Sequence, residues 1–303
     1  MKALIIGYGS IGKRHYDVLS TIESITTIDI VTSQTLLGLT TYQTIEQVKN
    51  LDYYDYFVIA SETFKHFDQI EYLEKNTHNK IVLCEKPLFD TYRAVNVTNN
   101  FIYIGYVLRF HPLLQKIRSI LKDEKALFAQ IQCGSYLPFW RPETDYRKSY
   151  SASKDQGGGV LLDLSHEIDY MQWLFGTVNS ISSSQSKVSD LEIDSDDLVT
   201  AIGKTDKNVA FGISLDYISK ISMRELVIHT RQKTIRADLI KNTLQIGTKD
   251  GTLETFEIDP YDRNDLFQKM HISALGDKEN LCTLEEGLSV MKTISTIQEE
   301  NNG

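Results

Sequence analysis

Cysteine is scarce in this chain: Cys84, Cys133 and Cys282 are the only three among 303 residues. Their odd number, wide separation and lack of C-x-x-C spacing exclude a disulfide framework and point to reduced, packed thiols in a cytoplasmic protein. Long apolar runs are missing as well. No stretch approaches the roughly eighteen uninterrupted apolar residues that a membrane helix needs, so no membrane partner is expected. The short run at residues 3–6, followed at once by glycine, reads as a buried strand rather than the core of a secretion signal. A basic excess is also lacking. Lys and Arg number 32 against 41 Asp and Glu, and the net charge of −9 disfavours nucleic acid or an anionic surface as the main partner. There is no internal repeat, and the histidines form no H-E-x-x-H or clustered ligand set, so no metal is expected. What remains is an ordinary globular composition, 41% apolar and 24% charged, in a chain long enough for two separately packed domains.

The most informative stretch comes first. Ala3-Leu4-Ile5-Ile6 runs into Gly7-Tyr8-Gly9-Ser10-Ile11-Gly12 and then into a helical pattern in which Ile11, His15, Val18, Leu19 and Ile22 share one face. G-x-G-x-x-G between a strand and a helix is a dinucleotide fingerprint. Gly7 permits the tight turn, Gly9 the close approach of backbone to a pyrophosphate, and Gly12 the packing of helix on sheet. The anion would rest on the free N–H groups and positive end of that helix. His15 reads as a helix-face histidine. The second strand, residues 26–31, ends about twenty residues past Gly12, where an acid normally holds the ribose 2′-OH of NAD. Thr32, Ser33 and Gln34 stand there instead, Asp29 lies too early, and no arginine marks NADP; the cofactor is NAD or NADP.

Further strands at 36–40, 56–60, 80–84 and 101–105, with helices at 44–50 and from 64, alternate as in a doubly wound parallel sheet. Ligands of such sheets bind beyond the carboxyl ends of strands, which places Ala60 at the end of the fourth strand and Ser61 after it, and Glu85 and Lys86 after the fifth, at the ligand-bearing edge. The pattern changes at Arg109-Phe110-His111-Pro112. Residues 1–110 are expected to form the dinucleotide-binding Rossmann domain and 111–303 an α+β substrate-binding and oligomerisation domain. β-rich runs at 127–135, 177–188, 197–204, 208–218, 223–230 and 233–247 predict a largely antiparallel, open sheet in the latter. Residues 283–299 predict a terminal helix, capped by Thr283 with Glu286 three residues on.

Within the second domain, Gly157-Gly158-Gly159 precedes a stretch that reads as one helix. At about 100° per residue, Leu161, Leu164, Ile168, Met171 and Phe175 form an apolar stripe, and Asp163, His166 and Tyr170 fall within about 60° of one another on the other side. A solvated polar face is the plain reading; the glycines favour close approach of a ligand instead. The aromatic and cationic stretch from Phe139 to Tyr150, with Trp140, Arg141, Tyr146 and Arg147, suits a sugar face and an anionic group. A solvated loop at an oligomer contact is an equal reading there.

Four ordered motifs, G-x-G-x-x-G at 7–12, Glu85-Lys86-Pro87, Gly105-Tyr106-x-x-Arg109-Phe110-x-Pro112, and Gly157-Gly158-Gly159-x-x-x-Asp163 followed by His166, resemble the glucose–fructose oxidoreductase/inositol dehydrogenase family, also called Gfo/Idh/MocA. The resemblance implies a Rossmann domain holding NAD or NADP through the glycine loop, Thr32, Ser33, Ala60, Ser61, Glu85, Lys86 and Arg109. It also implies an active site of Lys86, Asp163 and His166, with substrate contacts from Trp140, Arg141, Tyr146, Arg147 and Tyr170. The family places histidine four residues after the aspartate; here it follows by three, and Glu167 holds the fourth place. Hydride transfer from a secondary alcohol requires a base for the hydroxyl proton. His166 is the favoured acid/base, with Lys86 polarising the oxygen and Asp163 fixing sugar and histidine; the lysine and histidine roles can exchange. The expected function is oxidation or reduction at a hydroxyl or keto carbon of a sugar, nucleotide sugar or cyclitol, in the setting of bacterial surface-sugar biosynthesis, by a homodimer or homotetramer. A non-catalytic sensor or corepressor of the same fold, or an imine or tetrapyrrole reductase, are the alternatives.

Overall fold

The computed structural model describes residues 1–301, which divide into two compact units. The first comprises Met1–Phe110 and Tyr261–Leu288, the second His111–Pro260 and the chain from Ser289 on. In the first, β1 (Lys2–Ile6) leads into α1 (Ser10–Leu19), β2 (Thr27–Val31), β3 (Thr41–Tyr42), β4 (Tyr56–Ile59), α2 (His66–Asn76), β5 (Ile81–Cys84) and β6 (Phe101–Ile104). These strands lie in the order β3-β2-β1-β4-β5-β6, all parallel. β1 runs down the centre with Ala3, Leu4, Ile5 and Ile6 sealed from solvent, as a strand covered on both faces must be. Strand order reverses between β1 and β4, the place where open α/β sheets hold ligands.

Two expectations for this unit are corrected. The third strand is the two-residue β3, not residues 36–40, because the chain turns through Gly38 at φ +78° and only Thr41 and Tyr42 reach Ile30 and Val31. Residues 44–50 form no α-helix; two 3₁₀ turns, Ile45–Gln47 and Leu51–Tyr53, stand there. The buried side chains Ile45, Val48 and Leu51 recur every third residue, which matches three residues per turn. β5 and β6 are joined by residues 85–100 without a helix. Glu74 of α2 ties that connection down, accepting the backbone N–H groups of Thr98 and Asn99, both at 2.6 Å. Partial burial pushes its carboxyl up, and these donors outweigh that and hold it below the usual range.

The second unit opens with α3 (Pro112–Ile120) and β7 (Ala126–Gly134), followed by α4 (Val160–Asp163), α5 (His166–Phe175), β8 (Val178–Ser186), β9 (Leu198–Thr205), β10 (Ala210–Asp216), β11 (Met223–Thr230), β12 (Lys233–Asp238), β13 (Thr243–Thr248) and β14 (Leu253–Glu257). The sheet order is β14-β13-β12-β11-β7-β10-β9-β8. All neighbours are antiparallel except β7 and β10. One face buries Ala129, Ile131, Phe211, Ile213, Leu226 and Ile228; the other carries Ile202, 68% exposed. The β-rich run at 233–247 holds two strands, because Asp238 accepts the N–H groups of Ile240 and Lys241 and turns the chain between them. β14 escaped the sequence pattern because every residue in it is exposed.

α6 (Arg263–Leu275) and β15 (Cys282–Thr283) correct the expected second domain of 111–303. Asp262 and Asp265 close a capping box on α6, which buries Leu266, Phe267 and Met270 in the first unit, and β15 pairs antiparallel with β6. The segment therefore adds a helix and a seventh strand to the Rossmann sheet. α7 (Leu284–Asn301) starts at its own capping box, Thr283 Oγ1 accepting the Glu286 N–H at 3.2 Å and Glu286 Oε2 accepting the Thr283 N–H at 2.9 Å.

Candidate active site

The glycine loop is built by sterics. Gly7 has φ +99°, and a side chain there would meet Ala60 O and Ser61 Cα at 2.6 Å; one at Gly12 would stand 2.1 Å from Gly7 O. Both positions serve the packing of loop, helix and sheet. Gly9 differs, since a Cβ there would meet nothing within 4 Å. The protein alone gives no reason for its bareness, whereas a pyrophosphate laid across the loop does. Ser10, Ile11 and Gly12 begin α1 with no side-chain cap and no acid in the first turn, which leaves their N–H groups for an anion. The loop fits a dinucleotide.

At the end of β2, Thr32 is buried and its Oγ1 accepts the Gln34 N–H at 3.2 Å, Ser33 is exposed, and Gln34 Nε2 donates to Tyr8 O at 3.0 Å across to the glycine loop. Asp29 is buried and takes the Tyr54 hydroxyl at 2.6 Å, so its carboxylate is spent inside the sheet. At the end of β4, Ala60 is buried and Ser61 donates its hydroxyl to Gln69 at 2.7 Å. His66 is buried among the carbonyls of Ser61, Pro87 and Leu88, and burial lowers its pKa.

After β5, Glu85 is buried and bonded to His15 at 2.9 Å, and its Oε2 accepts the backbone N–H of Lys86 at 3.1 Å. Lys86 is half-buried, followed by a cis bond to Pro87. His15 is fully buried rather than resting on the face of α1 alone, and its second nitrogen meets His271 at 2.9 Å. Arg109 is placed otherwise than expected of a cofactor contact: it is buried and donates to Leu281 O at 3.1 Å and Glu286 Oε2 at 2.9 Å, bracing the returning segment.

In the second unit, the stretch expected to be one helix is broken. α4 ends at Asp163, Leu164 leaves helical geometry at φ −98° and ψ 29°, and α5 starts at His166. The angular argument therefore does not span Asp163 and His166. Nor is there a solvated face, since Asp163, His166, Glu167, Asp169 and Tyr170 are all buried. The glycine triplet has a packing cause too. A Cβ on Gly158 would lie 2.0 Å from Tyr150 O, and one on Gly159, at φ +123°, would lie 2.2 Å from Asp196 Oδ1. Gly158 lets the Ser149–Ser153 backbone lie against the start of α4, and Gly159 makes room for the Asp196 carboxylate.

That close approach delivers Tyr150 to Asp163. Tyr217, one residue past β10, donates its hydroxyl to Asp163 Oδ2 at 2.5 Å, and the Tyr150 hydroxyl bonds the same carboxylate. Burial, then the Asp163 charge, pushes both phenols up, so each stays a donor. Trp140 stacks its edge on Tyr217 with ring centres 5.2 Å apart and donates to Ser135 at 2.6 Å. Neither tyrosine was singled out from sequence; Tyr150 closes the aromatic stretch, while Tyr217 carries no local signal. Tyr170, expected among the substrate contacts, instead lies fully buried against Glu167, Cys133 and Arg224. Glu167 pairs with Arg224 Nε at 2.9 Å, and the Cys133 thiol beside them is pushed up to about 12 by burial first and Glu167 next. Trp140, Arg141 and Tyr146 line a recess with Leu137, Thr144, Ser149 and Ser151. Arg147 is drawn away, its guanidinium bonded to both Asp145 oxygens at 2.8 and 3.0 Å and to Glu192 at 3.4 Å.

A family model described as "Oxidoreductase family, NAD-binding Rossmann fold" of GFO/IDH/MocA matches residues 1–98, and the "GFO/IDH/MocA C-terminal domain" model matches residues 128–236. The chain belongs to the GFO/IDH/MocA family. Among curated proteins, 2,7-anhydro-N-acetylneuraminate hydratase of Escherichia coli (strain K12) is 26% identical over 131 residues, 41% of this chain and 34% of that protein. The match thus spans about a third of the length of that relative. Among solved structures, levoglucosan dehydrogenase in complex with NADH superposes with a TM-score of 0.85 at 14% identity, covering 100% of this chain and 97% of that one. An oxidoreductase from Agrobacterium radiobacter in complex with NAD+, L-tartaric acid and magnesium gives 0.83 at 13% identity, covering 100% and 96%. UDP-N-acetylglucosamine 3-dehydrogenase GnnA from Acidithiobacillus ferrooxidans gives 0.77 at 16%, covering 99% and 97%. These likenesses show the GFO/IDH/MocA fold, a Rossmann unit and a second unit with a mostly antiparallel sheet. Among the described residues, no group of three or more His, Cys, Asp or Glu could hold a metal ion, and no helix is long and apolar enough to cross a membrane.

Proposed function

We propose that this chain is an NAD(P)-dependent dehydrogenase or reductase acting on a hydroxyl or keto carbon of a sugar, nucleotide sugar or cyclitol. The observation that carries the reading is the buried Asp163 carboxylate, clamped by the Tyr150 and Tyr217 hydroxyls close in sequence to buried His166. A buried carboxylate acceptor, three residues before a group able to take and return a proton, suits reversible removal of a hydroxyl proton. His166 is the acid/base. Glu167 does not compete for that role, because its carboxylate is committed to Arg224. Asp163 accepts a substrate hydroxyl and orients the imidazole, and Lys86, held at the end of β5, polarises the reacting oxygen. The dinucleotide supplies the hydride acceptor or donor, and the loop at Gly7–Gly12 with Thr32, Ser33, Ala60 and Ser61 binds it.

The recess beside Trp140 supports a substrate with an anionic substituent. Of the two arginines there, Arg147 is neutralised by Asp145 and Glu192, whereas Arg141 lines the recess and acts electrostatically on Tyr150, itself bonded to Asp163. We read the protein as cytoplasmic and as a homodimer or homotetramer formed through the open face of the second sheet, where Ile202 is exposed and Phe128 stacks on His229.

The test is a screen of NAD+ and NADP+ against neutral sugars, uronic acids and nucleotide sugars, reading both nicotinamide absorbance and sugar product. Turnover of one such substrate, lowered about a hundredfold or more by Lys86→Ala and by His166→Ala, is expected. Absence of any NADH or NADPH fluorescence change on mixing, or full activity in both variants, overturns the reading.

A further inference from the structure

A continuous chain of four buried titratable side chains runs through the first unit: Tyr56 hydroxyl to His271 Nδ1 at 2.8 Å, His271 Nε2 to His15 Nδ1 at 2.9 Å, and His15 Nε2 to Glu85 Oε1 at 2.9 Å. They come from β4, α6, α1 and the end of β5, and none of the four is needed for the proton chemistry assigned above. One assignment of hydrogens satisfies every ring nitrogen with neutral rings. Tyr56 O–H donates to His271, His271 Nε2–H to His15, and His15 Nε2–H to the Glu85 carboxylate. Each donor then points toward Glu85. Its second oxygen accepts the Lys86 N–H at 3.1 Å, so the chain ends on the backbone of the lysine that carries the proposed chemistry.

Packing alone would not select this chain. Buried ionic groups are often replaceable by apolar side chains at no loss of stability. Room is kept for the carboxylate as well, since a Cβ on Gly105 would stand 2.9 Å from Glu85 Oε1. Burial pushes Glu85 up, yet the hydrogen bond from His15, with the Lys86 charge next, holds it below the ordinary range. Burial drives His271 well down, and burial followed by Glu85 raises Tyr56, so both stay neutral. The other groups facing Glu85 are the buried Cys84 thiol on β5, raised by burial, and His66 on α2, also neutralised by burial.

We propose that Tyr56, His271 and His15 are positioning residues for Lys86: they hold Glu85 as a fixed carboxylate, and Glu85 fixes the Lys86 backbone and sets the field at its ammonium. This rests on Lys86 being the lysine that polarises the reacting oxygen in the proposed dehydrogenase. His271, more than 180 residues from Lys86 in sequence, then governs its chemistry through the segment that returns to the Rossmann sheet.

The test is trinitrobenzenesulfonate labelling of the full-length protein across pH, with labelling of the Lys86 peptide read by mass spectrometry and melting temperature measured alongside. Removing the carboxylate charge in Glu85→Gln favours the neutral amine, so the pH midpoint of Lys86 labelling falls by about one unit. His271→Gln, which breaks the chain without touching Lys86, moves it in the same direction by less. Tyr56→Phe keeps the packing and loses one hydroxyl, and its midpoint falls least; it stands in where the other variants fail to fold. An unmoved midpoint in folded His271→Gln, or in Tyr56→Phe when that is the variant that folds, overturns the proposal whatever the change in melting temperature. The labelling uses neither substrate nor dinucleotide, so it fails or succeeds separately from the dehydrogenase screen.

Discussion

Gly7–Gly12 and Gly157–Gly159 look alike as sequence and answer to different forces. In the first loop Gly7 and Gly12 are demanded by the fold, but Gly9 faces space that the protein leaves open. In the second, Gly158 and Gly159 are crowded by Tyr150 O and Asp196. Glycine at a turn thus has two distinct causes, room for a ligand and room for the chain itself. A built Cβ separates them where sequence spacing does not. The second cause still serves the site, because close packing of the Ser149–Ser153 stretch brings the Tyr150 hydroxyl to Asp163.

The comparison breaks most visibly at Gly158. Gly158→Ala places a methyl 2.0 Å from Tyr150 O and 2.7 Å from Ser153 O, both backbone atoms that cannot swing aside. Destabilisation of about 3 kcal/mol is expected in chemical denaturation, the upper range for overpacking. NADH affinity of the folded fraction stays at the wild-type value. Loss of NADH binding without loss of stability would instead make this triplet a ligand loop.

Gly9→Val is the mirror experiment and smaller in energy. Its side chain enters open space at a position with φ −73°, which any residue adopts, so the melting temperature holds. The same side chain fills the pyrophosphate's place. NADH dissociation constants measured by fluorescence titration rise about tenfold or more, equal to about 1.4 kcal/mol. A melting temperature lowered as far as in Gly158→Ala would show that both loops obey packing alone.

How much of this was legible beforehand follows the same division. The Rossmann strands read clearly because they are short, apolar and punctuated by glycine, and the cap at Thr283 read clearly because both partners are local in sequence. β3 and the 3₁₀ turns did not, since three-residue spacing of buried side chains imitates a helix in a short window. The return of α6 and β15 to the first sheet is a long-range pairing with no local mark. Of the proposed residues, Asp163, His166 and Lys86 stand in ordered motifs that sequence displays, whereas Tyr217, His271 and the commitment of Arg109 to Glu286 depend on partners 54 or more residues away. Hydrophobic periodicity carries no information about which buried polar groups meet.

The smallest effect sharpens what the second glycine stretch provides. Tyr217 is fully buried, and Tyr150 is 44% exposed although its hydroxyl turns in to Asp163. In Tyr217→Phe, Asp163 loses a donor that water cannot replace, and stability falls by about 1.5 kcal/mol, the lower end of the range for a hydrogen bond to a charged group because the site partly relaxes. In Tyr150→Phe the exposed flank lets water reach the carboxylate, so about 0.5 kcal/mol is lost, with NADH affinity unchanged in both. Equal losses in the two variants would mean that Tyr150 is sealed by more than the packing that Gly158 permits. A loss near zero in Tyr150→Phe, with substrate KM raised, would instead place its hydroxyl on the substrate side of Asp163.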